Sequence, residues 1–450
     1  MTSEPFKVAR SVPALILKIG NYPLHHGGVG AIRSLGRLSV PMYAITEDRF
    51  TPAASSRYLR GRFVWPTTGL EEVERLVEGL LDIGRRIGQP TVLIPTDEEA
   101  AVLAAEHADV LGDHFLIPRM QDPGLARRLA SKQGLHELCT ENRVPSPATT
   151  SPESFADVEQ FAATARFPVV AKNREAFLRR RKPAVPGTTR VASPRELLAL
   201  ARGWGERPGV ILQEYLPRED TEDWIVHAYF DPDSAASVLF TGVKVRSWPP
   251  HAGMTACAYV VPNPELAEIA AQFCKCIGFH GIADLDWRYD RRDGQYKLLD
   301  FNPRVGAQFR LFETEAGVDV VRAQHLDLTG QTIPVAAQRY GRRFVVENID
   351  IPARLAYRRS GYVTPNAPER ATGTELAWFA RDDLKPFFVM IIRLLRPGVA
   401  HLMQMWHAHR RLAGRSTSDE SSCGRDRRRA LRALHRRASQ GARPPGTNLR

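Results

Sequence analysis

Residues 281–313, GIADLDWRYDRRDGQYKLLDFNPRVGAQFRLFE, restrict the fold more than any other stretch of the chain. Two apolar-alternating runs, 283–289 and 295–301, flank a charged turn at 290–294. That pattern predicts a β-hairpin with one face buried. Asp286 falls inside the first strand, and Asp300 and Asn302 end the second, followed by Pro303 and Arg304. A buried carboxylate is costly unless something neutralises it. Two Asp on paired strands, with an Asn two residues on and so on the same face, make a hard-oxygen set suited to Mg²⁺. Taken alone, the same residues read equally well as solvated acids beside a turn.

The run LLDFNPRVG, with an acid on the preceding strand, resembles the metal hairpin of the ATP-grasp superfamily. In that family an acidic strand residue and a later E/D-x-N-P-R hold Mg²⁺. The resemblance assigns Asp286, Asp300 and Asn302 as metal ligands and Arg304 as the motif arginine. Asp stands at both acidic positions, where Glu is more usual, which shortens the reach to the metal without changing its class.

At 450 residues the chain is long enough for two or three domains and a large core. No run of 18 or more uncharged apolar residues occurs, so no transmembrane helix is expected. The first 20 residues lack a signal-peptide apolar stretch with a small-residue cleavage site, and residues 12–19 read as a first buried strand. Five cysteines form no CxxC and no even framework, which points to reduced thiols, a cytoplasmic setting and no zinc. The net charge of +12 is uneven: residues 414–450 hold ten Arg against three acids. A protein that binds nucleic acid through its fold would spread such charge over a folded face.

Residues 11–120 read as an α/β domain: VPALILKIG as strand, AIRSLGRLS as helix, VPMYAIT as strand. Gly27, Gly28 and Gly30 read as a loop between strand and helix, able to cradle an anion or to serve as a tight packing turn. GGVG does not complete a dinucleotide fingerprint. Residues 91–105 give another strand and a helix capped by Thr96 or Asp97. The arrangement resembles the pre-ATP-grasp domain of carboxylate–amine ligases, where this loop and Thr96–Asp97 would face the acceptor substrate.

Between 122 and 142, apolar residues at 125, 129, 135 and 138 predict a helix ending before the extended VPSPATT. This resembles the entry to the ATP-grasp module, with Lys132 as a phosphate-binding lysine. FPVVAKNRE resembles the strand whose lysine, here Lys172, reaches the nucleotide phosphates; a lysine inside a strand seldom lacks a partner. The family's Gly-rich phosphate loop should follow, but residues 174–190 carry one Gly, Gly187, and the cluster Arg179, Arg180, Arg181 and Lys182. Guanidinium groups can supply the positive charge instead.

Residues 207–231 resemble the adenine hinge: Gln213–Leu216 match Q-E-[YF]-[IL]-P, with backbone groups around Glu214 and Leu216 reading the base and Asp223 favoured for the ribose. Residues 240–260 resemble the G-x-K-x-R-x-x-P-P-x-x-G segment of the D-aspartate-ligase-like branch. Lys244 and Arg246 share a strand face there, to meet phosphates or an acyl phosphate, or alternatively water. Residues 331–412 read as a strand and helices; the apolar stretch at 386–406, interrupted by Arg393, Arg396 and Pro397, reads as a helix packed on the core rather than as a membrane anchor. Residues 414–450 read as a disordered basic tail, either without function or able to touch nucleic acid or anionic lipid non-specifically.

The expected architecture is mixed α/β and α+β: a Rossmann-like pre-ATP-grasp domain (1–120), a two-lobed ATP-grasp module (121–335), an accessory region (336–412) and a tail (413–450). The resemblance implies a carboxylate–amine ligase using ATP with Mg²⁺ or Mn²⁺. Lys132, Lys172, Gln213, Glu214, Leu216 and Asp223 would bind ATP, and Lys244 and Arg304 would act in catalysis. Its substrates would be a small carboxylate and an amine, amino acids among the candidates, with no specific nucleic acid; oligomeric state is not legible. The missing glycine loop keeps a second reading open, a degenerate ATP-grasp protein that binds nucleotide without turnover. A third is a nucleic-acid-associated protein that acts through its Arg tail.

Overall fold

A computed structural model describes residues 6–175, 183–217, 219–250, 253–360, 368 and 370–395. The Arg179–Lys182 cluster, the basic tail and the stretch beyond 395 lie outside the described residues.

The N-terminal sheet is parallel, with strands in the order Leu59–Val64, Met42–Thr46, Ala14–Leu17, Thr91–Pro95 and Phe115–Leu116. Ala14, Leu15, Ile16 and Leu17 are all buried, as a central parallel strand covered on both faces requires. The glycine run departs from the expectation of a loop: the helix begins at His26 and runs to Gly36, so Gly27, Gly28 and Gly30 lie within its first turns. The reason is close packing. A Cβ on Gly27 would sit 3.0 Å from Ala307 Cα, and one on Gly30 would sit 2.9 Å from Arg310 Cγ. The glycines let this helix lie against the segment that follows the hairpin.

The expected helix at 125–138 is two helices, Leu125–Ala130 and Lys132–Glu141, broken at Ser131. Ser131 caps the second by accepting from the Gly134 N–H. All four periodic leucines are buried, so the apolar pattern holds while the axis breaks.

Two antiparallel sheets form the remainder. The smaller runs Thr149–Thr150, Val210–Glu214, Val169–Asn173, Thr189–Val191. The larger has seven strands, in the order Gln295–Asn302, Gly281–Asp290, Thr221–Phe230, Ala236–Trp248, Met254–Val260, Arg342–Val345 and Gly373–Leu376. The predicted hairpin forms its edge, and the strands at 342–345 and 373–376 extend the same sheet at its far side. Helix Pro264–Cys276, capped by Asn263 with Pro264 in its first turn, covers the hairpin. Phe273 and Phe279 set their rings edge-on to Phe301, at centroid distances of 6.3 and 5.1 Å.

Residues 377–383 are strapped to the N-terminal domain through buried Arg33. Its Nε donates to Asp383 Oδ2 at 3.1 Å and its Nη2 to the carbonyls of Trp378 and Asp383 at 2.7 and 2.8 Å. Asp383 also accepts from Ser56 Oγ and the Arg57 N–H. No helix among the described residues is long and apolar enough to cross a membrane.

Candidate active site

A cleft of about 280 Å³ lies between the smaller sheet and the hairpin, lined by Lys172, Gln213–Leu216, Asp223, Lys244, Asp286, Arg288 and Asp300 among others. Each wall has a local cause. Asp286 and Asp300 are direct cross-strand partners in the hairpin, with a register shift immediately after Asp286. Strand geometry therefore sets two carboxylates side by side. The Lys132 N–H bonds the Arg174 carbonyl, which joins the start of one helix to the end of the strand bearing Lys172.

Three lysines converge on these acids. The Lys132 ammonium pairs with Asp300, and Lys244 Nζ lies 2.6 Å from Asp286 Oδ1. Lys172 has no ion-pair partner among the described residues, and its pKa falls to about 8, chiefly through burial and then through Lys132. Burial raises the Asp300 pKa, but Lys132 and Lys172 outweigh it and hold the group low. At Asp286 burial wins: Lys244 offsets it only in part, and the neighbouring Asp284 pushes the same way. A carboxylate pair whose shared lysines do not fully neutralise it fits a hard divalent cation. Asn302 is buried at the strand end and directs Nδ2 toward the Asp284 carbonyl at 3.2 Å, and its Oδ1 accepts no hydrogen bond among the described residues. Asp286 and Asp300 therefore give the cleft a carboxylate pair suited to Mg²⁺, with Asn302 two residues beyond Asp300 on the same strand, opposite Asp284.

Arg304 sits at the join of the hairpin and the N-terminal domain. Its Nη1 donates to Asp284 Oδ2 at 2.8 Å and its Nη2 to Glu98 Oε1 at 2.6 Å. Burial lowers its pKa, but Glu98 and Asp284 reverse the sign and keep the guanidinium charged. Asp284 itself is buried; burial raises its pKa, yet His227, 3.0 Å away, and Arg304 hold it well below the usual carboxylate range. Gly306 makes this cluster possible, since a Cβ there would sit 2.6 Å from Asp284 Cγ.

At the hinge, the Glu214 N–H is committed to the Ala148 carbonyl at 2.9 Å, and Lys297 Nζ lies 3.2 Å from Glu214 Oε1. The Gln213 amide donates to Thr149 Oγ1 and staples two strands. The buried Leu216 keeps its N–H free of protein acceptors among the described residues. Asp223 is held by Arg288, with Nε and Nη2 at 2.7 and 2.6 Å.

Lys244 and Arg246 part company. The Ala236–Trp248 strand is bulged between them, so Lys244 turns to Asp286 while Arg246 Nε bonds the buried Asp350 at 2.8 Å. A bulge breaks the period of two that put them on one face. Asp97 caps helix Glu98–Glu106 and also accepts from the Ile19 and Gly20 N–H groups, which ties two strand ends together. Asp284, Arg288, Glu98 and His227 were not singled out from the sequence. Asp284 alone carried a signal, since it stands two residues before Asp286 on the same strand face.

No protein-family model matches the chain. In sequence it is 29% identical over 297 residues to a D-aspartate ligase from Enterococcus faecium, spanning 62% of this chain and 68% of that protein. In structure it is similar to the MgADP- and bicarbonate-bound biotin carboxylase domain of 2-oxoglutarate carboxylase from Hydrogenobacter thermophilus. That match has a TM-score of 0.55 at 14% identity and covers 75% of this chain and 74% of that one. It is also similar to the ADP complex of N5-carboxyaminoimidazole synthetase from Staphylococcus aureus, with a TM-score of 0.55 at 12% identity, covering 74% and 81%. A parallel sheet ahead of two antiparallel sheets, the larger edged by a hairpin bearing paired aspartates, is the fold the chain shares with these two structures.

Proposed function

We propose that this protein is an ATP-dependent carboxylate–amine ligase. It activates a substrate carboxylate as an acyl phosphate and passes it to an amine, releasing ADP and phosphate. The observation that carries the reading is one cleft that brings Lys172 and Lys244 to the cross-strand pair Asp286 and Asp300, with Lys132 paired to Asp300.

Asp286, Asp300 and Asn302 would hold Mg²⁺, which when bound supplies positive charge against the polyphosphate. Lys172 offers an ammonium without a carboxylate partner to phosphate oxygens, and Lys132 and Lys244 flank it. The free Leu216 N–H and the apolar walls of the hinge would receive the adenine edge, with Asp223 oriented by Arg288 toward the ribose. Arg304 is held rigidly between Glu98 and Asp284, so its charge is in place before the carboxyl oxygen becomes anionic. Such preorganisation lowers the barrier because no charge need move during the reaction.

The similarity to a D-aspartate ligase makes amino acids, D-aspartate first, the carboxylate candidates. The test is ADP release from Mg²⁺-ATP across a panel of amino acids offered as acid and as amine, beside Asp300→Ala. Release that needs both partners and vanishes in the variant is expected. Nucleotide binding with no release under any pair would overturn the proposal.

A further inference from the structure

A parallel sheet opens a crevice at the carboxyl ends of its strands where the strand order reverses. Here that point lies between Ala14–Leu17 and Thr91–Pro95. The chain runs outward from the first to Met42–Thr46 and Leu59–Val64, and from the second to Phe115–Leu116. A groove of about 130 Å³ lies beside it, lined from helices Val73–Ile87 and Glu98–Glu106 and by Ile19. Successive side chains of a strand point to opposite faces of the sheet. Ile16 faces the glycine helix, since a Cβ on Gly28 would sit 3.7 Å from its Cγ2, whereas Leu15, Leu17 and Ile19 pack with Leu76 and Leu103. The groove therefore opens on the other face of the sheet, and it shares no lining residue with the cleft of Lys172 and Asp286.

Its floor is apolar and its charge is one-sided. Ile19, Leu76, Val102 and Leu103 are buried, and Val73 stands 41% exposed at the rim. Three acids, Glu71, Glu99 and Glu106, line it against one cation, Arg127. Arg127 pairs with Glu106, its Nε and Nη2 donating at 2.5 and 2.7 Å. Glu71 folds back to accept from the N–H groups of Thr68, Gly69 and Leu70. Glu99 is the carboxyl that decides what the groove accepts. Burial and Asp97 push it up to about 8, and Arg304 offsets them only in part. An arriving cation favours the ionised form of such a group, and a second anion opposes it. The volume takes an aliphatic chain of about four groups the size of water.

We infer that this groove binds an aliphatic ammonium, with the chain against Ile19, Leu76 and Val102 and the ammonium at Glu99. Glu98, the preceding residue, holds Arg304, so one residue separates the occupant from the machinery of the cleft. Two sources share this chemistry: the amine that the ligase joins, and a separate effector.

The test is ligand-observed NMR titration of the full chain, without nucleotide, with n-butylammonium, n-butanol and butyrate. Butylammonium should bind about tenfold more tightly than butanol, and butyrate should not bind. Glu99→Gln keeps the shape of the carboxyl and should weaken butylammonium about tenfold with circular dichroism unchanged. Val73→Lys puts a like charge at the exposed rim and should weaken it about threefold. Adding Mg²⁺-ATP and D-aspartate then separates the sources. Butylammonium joined to aspartate marks the amine substrate; butylammonium recovered intact, with its affinity unchanged, marks an effector. Equal affinity for butanol, undiminished binding in Glu99→Gln, or no binding of butylammonium would overturn the inference. Because binding is read without nucleotide, that failure would leave the ligase reading standing.

Discussion

Lys172→Met tests the anion site at its most exposed assumption. The substitution keeps an unbranched stem and removes the ammonium. The wild-type pKa falls from 10.5 to about 8, which corresponds to about 3 kcal/mol of unfavourable charge burial. The side chain is only half-buried, and screening from the cleft leaves about 2 kcal/mol of that. Below pH 8 the lysine is charged in both folded and unfolded chains, so the cost is present in full. Between about pH 8 and 10.5 the unfolded chain binds more protons than the folded one, and wild-type stability rises with pH. Lys172→Met should therefore raise the nucleotide-free unfolding midpoint at pH 7 by about 2–5 °C. It should also remove this rise with pH. In the same variant the upward shift produced by Mg²⁺-ADP should disappear, because one unit charge near phosphate is worth on the order of 4 kcal/mol at an effective dielectric of about 20. Thermal unfolding followed by tryptophan fluorescence at pH 7 and pH 9, with and without nucleotide, reads all three effects. A variant that melts lower than wild type and keeps its nucleotide shift would refute the reasoning.

Three further outcomes follow from the same geometry. Asp383→Ala strands the buried Arg33 guanidinium and should cost about 3–5 kcal/mol in urea denaturation; less than 1 kcal/mol would contradict the strap. Gly306→Ala forces a Cβ toward Asp284 and His227, so it should destabilise the fold by about 1–3 kcal/mol and lower kcat. Arg288→Ala frees Asp223 and should raise KM for ATP severalfold while leaving kcat near wild type; a kcat loss alone would place Arg288 in the chemistry instead.

The hairpin was legible because period-two alternation, a charged turn and in-strand acids all point to one structure, and Asp286 and Asp300 indeed face each other. The order of β and α elements likewise gave the parallel N-terminal sheet. What escaped depends on contacts between distant segments. The glycines at 27, 28 and 30 read locally as a loop, but they lie in a helix, and those at 27 and 30 let it approach residues 307–310 closely. Arg246 looked like a companion of Lys244 because a bulge has no local signature strong enough to reset the period. The pairing of Arg304 with Glu98 joins residues 206 apart, and no local pattern announces it. The break at Ser131 was hidden because the leucines keep their spacing across it.

Trapping with hydroxylamine tests the central claim most directly. Hydroxylamine replaces the amine and converts an acyl phosphate to a hydroxamate that gives a coloured complex with ferric iron. With Mg²⁺-ATP and D-aspartate or another accepted amino acid, the protein should form hydroxamate in step with ADP, and Asp300→Ala should form neither. ADP released without hydroxamate, or no ADP with any amino acid tried, would contradict the account.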